Sequence, residues 1–83
     1  MTSSLTLDNL PPLRRAEIVA IDWAQLAPDE AKRLRAMGID LGARVAVAHR
    51  GIFLGRDPIA ILIGRMTVAL RRSHAKAMTV VEV

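Results

Sequence analysis

Arg33-Leu34-Arg35-Ala36-Met37-Gly38-Ile39-Asp40-Leu41-Gly42 decides the fold of this chain, because it holds a helix stop followed at once by a strand start. Ala31, Leu34 and Met37 recur at helical spacing and place one apolar face towards a core. Gly38 supplies the left-handed residue on which many helices end, and Ile39 falls where a Schellman motif returns an apolar side chain onto Leu34. Working back, Pro28 suits a first helical position, with Asp29 and Glu30 at the positive end and Lys32, Arg33 and Arg35 towards the negative end. The pattern predicts a helix from about Pro28 to Met37.

Forward of the glycine, Leu41-Gly42 opens a strand from Ala43 to Arg50, in which Val45 and Val47 alternate with Arg44, Ala46 and Ala48. Gly51-Ile52-Phe53-Leu54-Gly55-Arg56-Asp57-Pro58 is framed by glycines and a proline and reads as a loop. Ile59 to Ile63 follows as a strand with Ile59, Ile61 and Ile63 on one side. Gly64-Arg65 is a two-residue hairpin turn, and Met66, Val68 and Leu70 continue beyond it. Arg71 to Ala77 is a polar connection in which Ser73 could cap one helical turn, and Met78 to Val83 is a last strand.

Before the helix, Ala16 to Ile21 is a strand with Ala16 and Ile18 facing one way and Glu17 the other. Ile21 breaks the alternation, and a bulge at Asp22-Trp23 would turn it inward. Residues 1–13 form an arm ending in Asn9-Leu10-Pro11-Pro12, with Leu5, Leu7 and Leu10 available to pack on the domain. Five short strands, a helix after the first and a one-turn helix before the last predict a mainly β fold, a small, highly bent barrel.

The 83 residues allow one domain, 1–83, whose small size demands an apolar sequence, and 52% are hydrophobic. Cysteine is absent, which excludes disulfides and thiolate metal sites and suits a reducing compartment. The first residues lack the basic lead and apolar run of a signal peptide. The apolar stretch from Ile59 to Leu70 is broken by Gly64-Arg65 and falls short of the about 20 residues that cross a bilayer. The expectation is a cytoplasmic protein without membrane insertion.

Chemistry has few anchors. His49 and His74 have no nucleophile motif around them, so the chain is not expected to be an enzyme. His49 reads as a half-buried strand residue and His74 as a surface residue, and neither belongs to a metal-ligand spacing. Gly51, Gly55 and Gly64 form no phosphate-binding pattern, so no cofactor is expected. The net charge of +4 permits nucleic acid, an anionic membrane face or an acidic protein surface. Trp23 and Phe53 are the only aromatic residues, a poor base-stacking platform, so nucleic acid is the weaker partner class. Arg14-Arg15, Lys32-Arg33 and Arg71-Arg72 also suit a solvated surface. The most suggestive feature is Ile52, Phe53 and Leu54 between glycines: either they fold over the barrel mouth, or they contact a partner or another copy of the chain.

Taken together, Arg33-Leu34, Met37-Gly38-Ile39, Leu41-Gly42, Val45, Val47, Asp57-Pro58-Ile59, Val68-Ala69-Leu70-Arg71 and Ala75 closely resemble the FeoA family, over roughly residues 5 to 82. The resemblance implies an SH3-like barrel. It also implies a small cytoplasmic accessory or regulatory protein of ferrous iron uptake that binds the cytoplasmic part of the FeoB transporter. Relatives among iron-dependent repressors link the family to transition metals, so a free-standing metal-sensing domain is an alternative, beside a nucleic-acid-binding barrel. Two departures stand out: the glycine that usually follows the first proline segment is replaced around Leu13-Arg14, and Arg56 is inserted between Gly55 and Asp57. For partner contact the expected residues are Arg50, Phe53, Leu54, Arg56, Arg71 and Arg72, the arginines steering towards an acidic surface.

Overall fold

A computed structural model describes residues 4–48 and 57–83. Of the sequence expectations, His49, Arg50, Phe53, Leu54 and Arg56 lie outside the described residues. The elements are β1 (Ser4–Thr6), β2 (Ala16–Ile21), α1 (Pro28–Ala36), β3 (Arg44–Val47), β4 (Ile59–Ile63), β5 (Met66–Leu70), α2 (Arg72–Ala75) and β6 (Met78–Glu82), with single 3-10 turns at Leu7–Asn9 and Trp23–Gln25. The strands form one antiparallel sheet in the order β1-β6-β2-β3-β4-β5.

The helix stop works as its residues dictate. Gly38 has φ +96°; its N–H donates to the Arg35 carbonyl at 3.0 Å and the Ile39 N–H to the Leu34 carbonyl at 2.9 Å, the paired bonds of a Schellman motif. Leu34 and Ile39 are both fully buried in one cluster with Ile18, Ile61, Met78 and Val80. A Cβ on Gly38 would sit 3.3 Å from Ile63 Cδ1 as well as in left-handed geometry. Gly38→Ala is therefore expected to destabilise the protein by about 1 kcal/mol or slightly more, read as a lowered denaturation midpoint; an unchanged midpoint would remove this cap from the account.

From Gly38 the chain turns into β3. Gly42, at φ +83°, closes a turn in which the Ala43 N–H reaches the Asp40 carbonyl at 3.1 Å, and bonds between Ile18 and the Gly42-Ala43 backbone join β2 to the start of β3. In β4, Ile59 and Ile61 are buried and Ile63 packs against the core from its margin. The Gly64-Arg65 turn pairs Ile63 with Met66; φ +58° at Gly64 fits a type II′ hairpin, which places glycine first. Val68 and Leu70 point inward, but Met66, next to the turn, is exposed.

Three expectations need correction. The arm contains a sixth strand: β1 pairs with β6, Leu5 opposite Val80, and Leu7 and Leu10 enter the core at no exposure. The bulge lies earlier than Asp22-Trp23, between Ile18 and Ala20 where the β2–β6 register shifts, which leaves Val19 exposed. After β2 the chain forms a 3-10 turn in which Asp22 accepts from the Ala24 N–H and from Gln25 Nε2. Finally, Ser73 does not cap α2, because it lies inside that helix.

Leu13 carries the clearest local cost. It has φ +65°, is 65% exposed, and its N–H donates to the Val47 carbonyl at 2.8 Å. A branched side chain in left-handed backbone is disfavoured by about 1–2 kcal/mol, partly offset in any glycine variant by unfolded-state entropy. Leu13→Gly is expected to raise stability by about 0.5 kcal/mol, checked by chemical denaturation; a lowered midpoint would show that the Leu13 side chain contributes more than its exposure suggests.

Candidate partner-binding surface

β4 is entered through Asp57-Pro58, and β5 leads directly into α2, so the pairing of Ile59 with Leu70 brings Asp57 beside Arg71 and Arg72. Asp57 Oδ1 accepts the Arg72 backbone N–H at 2.8 Å. That N–H is the first of α2 and has no partner within the helix. An aspartate fifteen residues away thus supplies the cap that Ser73 does not. The bond also ties the entry of β4 to the Arg71-Arg72 pair.

Arg71 is exposed and Arg72 half-buried. The Arg71 carbonyl accepts from the His74 and Ala75 N–H groups at 3.0 and 2.9 Å, so its backbone starts the helical turn while its side chain faces solvent. Arg71 and Arg72 thus stand at the start of a short turn whose first N–H is tied to Asp57.

His74 differs from its expected surface position. Its side chain is only 16% exposed, and Nδ1 lies 3.6 Å from Glu30 Oε2, buried and without a hydrogen bond. Arg33 holds Glu30 from the other side, through Nε to Oε1 and Nη2 to Oε2. The Arg33 hydrogen bond, followed by the charges of Arg33, His74 and Arg71, keeps the Glu30 carboxyl below its ordinary value of 4.5, against the opposing effect of burial. That stabilisation is present above 4.5 and is lost as pH falls through the lower folded value. The α1–α2 contact is thus an electrostatic one at the back of the arginine rim.

Among the described residues, no three histidine, aspartate or glutamate side chains converge as a metal site. Trp23, one of the two aromatic residues, has Arg35 stacked over it, with the guanidinium carbon 4.1 Å from the ring centroid. That face of the indole is covered and does not offer itself to a base.

The sequence profile of the FeoA domain matches residues 5–82. The chain belongs to the FeoA family. Membership ties it to ferrous iron transport, and the fold agrees: it is mainly β and SH3-like. FeoA from Chlorobium tepidum is 29% identical with a TM-score of 0.79, over 95% of this chain and 70% of that one. FeoA from Stenotrophomonas maltophilia, solved with zinc and described as a prokaryotic SH3 domain protein, is 31% identical with a TM-score of 0.63, over 96% and 88%. A manganese-dependent transcriptional repressor shares the fold at 24% identity and a TM-score of 0.78, and this chain spans 44% of it. No curated protein matches the sequence. Among the described residues of this FeoA-family protein, no helix is long and apolar enough to cross a membrane.

Proposed function

We propose that this FeoA-family protein is a non-enzymatic accessory of bacterial ferrous iron uptake, acting in the cytoplasm by binding the cytoplasmic part of FeoB. Arg50, Phe53, Leu54, Arg56, Arg71 and Arg72 form its contact set. The observation that supports this most directly is the Asp57 bond to the Arg72 N–H, which ties the start of the Arg71-Arg72 turn to the residue that follows Arg56 in the sequence. An apolar anchor beside a cationic rim is the arrangement with which a small domain binds an acidic surface: the anchor supplies affinity, the charges supply encounter rate and orientation. The S. maltophilia protein, described as a candidate ferrous iron transport activating factor, is consistent with such a role.

The test is calorimetric titration of the purified protein into the isolated cytoplasmic part of FeoB, for wild type and Phe53→Ser. The substitution is expected to weaken association at least tenfold, equivalent to about 1.4 kcal/mol, with the thermal midpoint unchanged. A lowered midpoint with intact association would instead make Phe53 a cover for the core. Binding that falls by several decades between low and physiological salt, and that occurs with nucleic acid rather than FeoB, would replace this reading with the nucleic-acid one.

A further inference from the structure

At the opposite end of β3 and β4 from Asp57 lies a cleft of about 330 Å3, lined by Arg15, Arg44, Val45, Ala46, Leu62 and Gly64. Its construction follows from register. Ala16 pairs with Val45 and Ala46 with Leu62, so Arg15, Ala46 and Leu62 fall in one row across the outer face of the sheet, while Arg44 opens β3 one step away beside the Gly64 turn. Gly64 has nothing within 4 Å of where a Cβ would stand, which leaves that end of the cleft open. The result is a short aliphatic floor bordered by two exposed arginines, Arg15 across from Ala46 and Arg44 next to it along β3.

The two arginines are not committed elsewhere. Arg14 pairs with Glu82 at 3.4 Å and Arg33 with Glu30, but among the described residues neither Arg15 nor Arg44 has an ion-pair partner. Glu17, which faces Arg44 in register, makes no ion pair with it, and no acidic side chain lines the cleft. An incoming carboxylate would meet two guanidinium groups beside one apolar floor.

We propose that this cleft is a docking site for an extended acidic segment of a partner protein, which places an apolar side chain on Ala46 and Leu62 and carboxylates against Arg15 and Arg44. Guanidinium groups match carboxylates bidentately, and the volume is at the lower end of ligand pockets, enough for a few side chains. An aliphatic floor favours a peptide over single-stranded nucleic acid, whose bases require aromatic rings to stack upon. The site is separate from the Arg71-Arg72 rim by the length of β4, and stands whether or not that rim binds the transporter.

The experiment is amide-shift NMR on the full chain, titrated with an acetylated and amidated Glu-Leu-Glu-Val-Glu peptide, its lysine-for-glutamate counterpart and a ten-nucleotide oligothymidine. The acidic peptide is expected to give saturable shifts centred on Arg15, Arg44, Ala46, Leu62 and Gly64, with the lysine peptide giving none. Joint Arg15→Gln and Arg44→Gln substitution, at exposed positions that leave the spectrum otherwise folded, is expected to weaken binding at least tenfold. Arg71→Glu is expected to leave it within twofold. The proposal is overturned if the acidic peptide gives no saturable shifts, if the shifts centre on Arg71 and Arg72, if oligothymidine perturbs the same cleft residues as strongly, or if the double variant binds as well as wild type.

Discussion

Leu34→Ala is expected to lower the thermal midpoint of this protein by about 12–24 °C, more than any surface substitution considered above, on the basis of about 3 kcal/mol at 4–8 °C per kcal/mol for a domain of this size. Leu34 is fully buried and belongs to the cluster that contains Ile18, Ile39, Ile61, Met78 and Val80, so truncation opens a cavity in the core that α1 shares with the sheet. It also removes the apolar partner of Ile39 in the Schellman turn, while leaving the Ile39 N–H bond to the Leu34 carbonyl intact. Small domains have a folding free energy near the lower end of the usual range of about 5–15 kcal/mol, and the variant therefore approaches marginal stability. Since Leu34 and Gly38 act in the same turn, Leu34→Ala and Gly38→Ala are expected to combine less than additively. Differential scanning calorimetry decides the matter: a midpoint within about 5 °C of wild type would mean that the cavity collapses at little cost and that the helix is not pinned through this residue.

Leu34, Gly38 and Ile39 were legible in the sequence because a helix stop is a local device, its donors and acceptors lying within five residues of one another. The Gly64-Arg65 hairpin was legible for the same reason. Non-local partners were not. β1 is three residues long, and what makes it a strand is β6, whose Val81 lies opposite Ser4; the prolines at 11 and 12 made the same segment read as an arm. Ser73 could cap α2 by residue type, whereas Asp57 fulfils that part from across the β4–β5 hairpin. Asp57, just before Pro58-Ile59, was the available signal, since an aspartate before a strand has no strand-forming reason to be there. The sequence places His74 at the surface because no short-range pattern links it to Glu30 of α1, from which its Nδ1 lies 3.6 Å. Leu13, where the resemblance implies a glycine nearby, is left-handed in the structure, a conformation that glycine adopts without cost. The cleft between Arg15 and Arg44 was invisible, because it exists only where the β2–β3 and β3–β4 registers meet.

The partner reading makes its strongest demand on Arg71. This side chain is exposed, its backbone carbonyl is what α2 uses, and a glutamate at the N-terminal cap position of a helix is electrostatically acceptable. Arg71→Glu therefore keeps the backbone of the turn and inverts one charge at the rim beside Asp57, with a smaller effect on Glu30, whose carboxyl the Arg71 charge helps keep ionised. Against an acidic surface the change converts an attraction into a repulsion, and a penalty of about 2 kcal/mol, or roughly 30-fold in Kd, is expected for association with the cytoplasmic part of FeoB. Most of the loss is expected in the association rate, since rim charges act on encounter, and the dependence of that rate on ionic strength is expected to flatten along with it. An adjacent Arg72 whose backbone is held by Asp57 keeps the turn in position, so the variant reports charge and not geometry. Stopped-flow association at two salt concentrations separates the outcomes. A rate constant unchanged at low salt would detach Arg71 from the interface, and a slowed dissociation-independent step with preserved salt dependence would place the electrostatic steering on other basic residues of the chain.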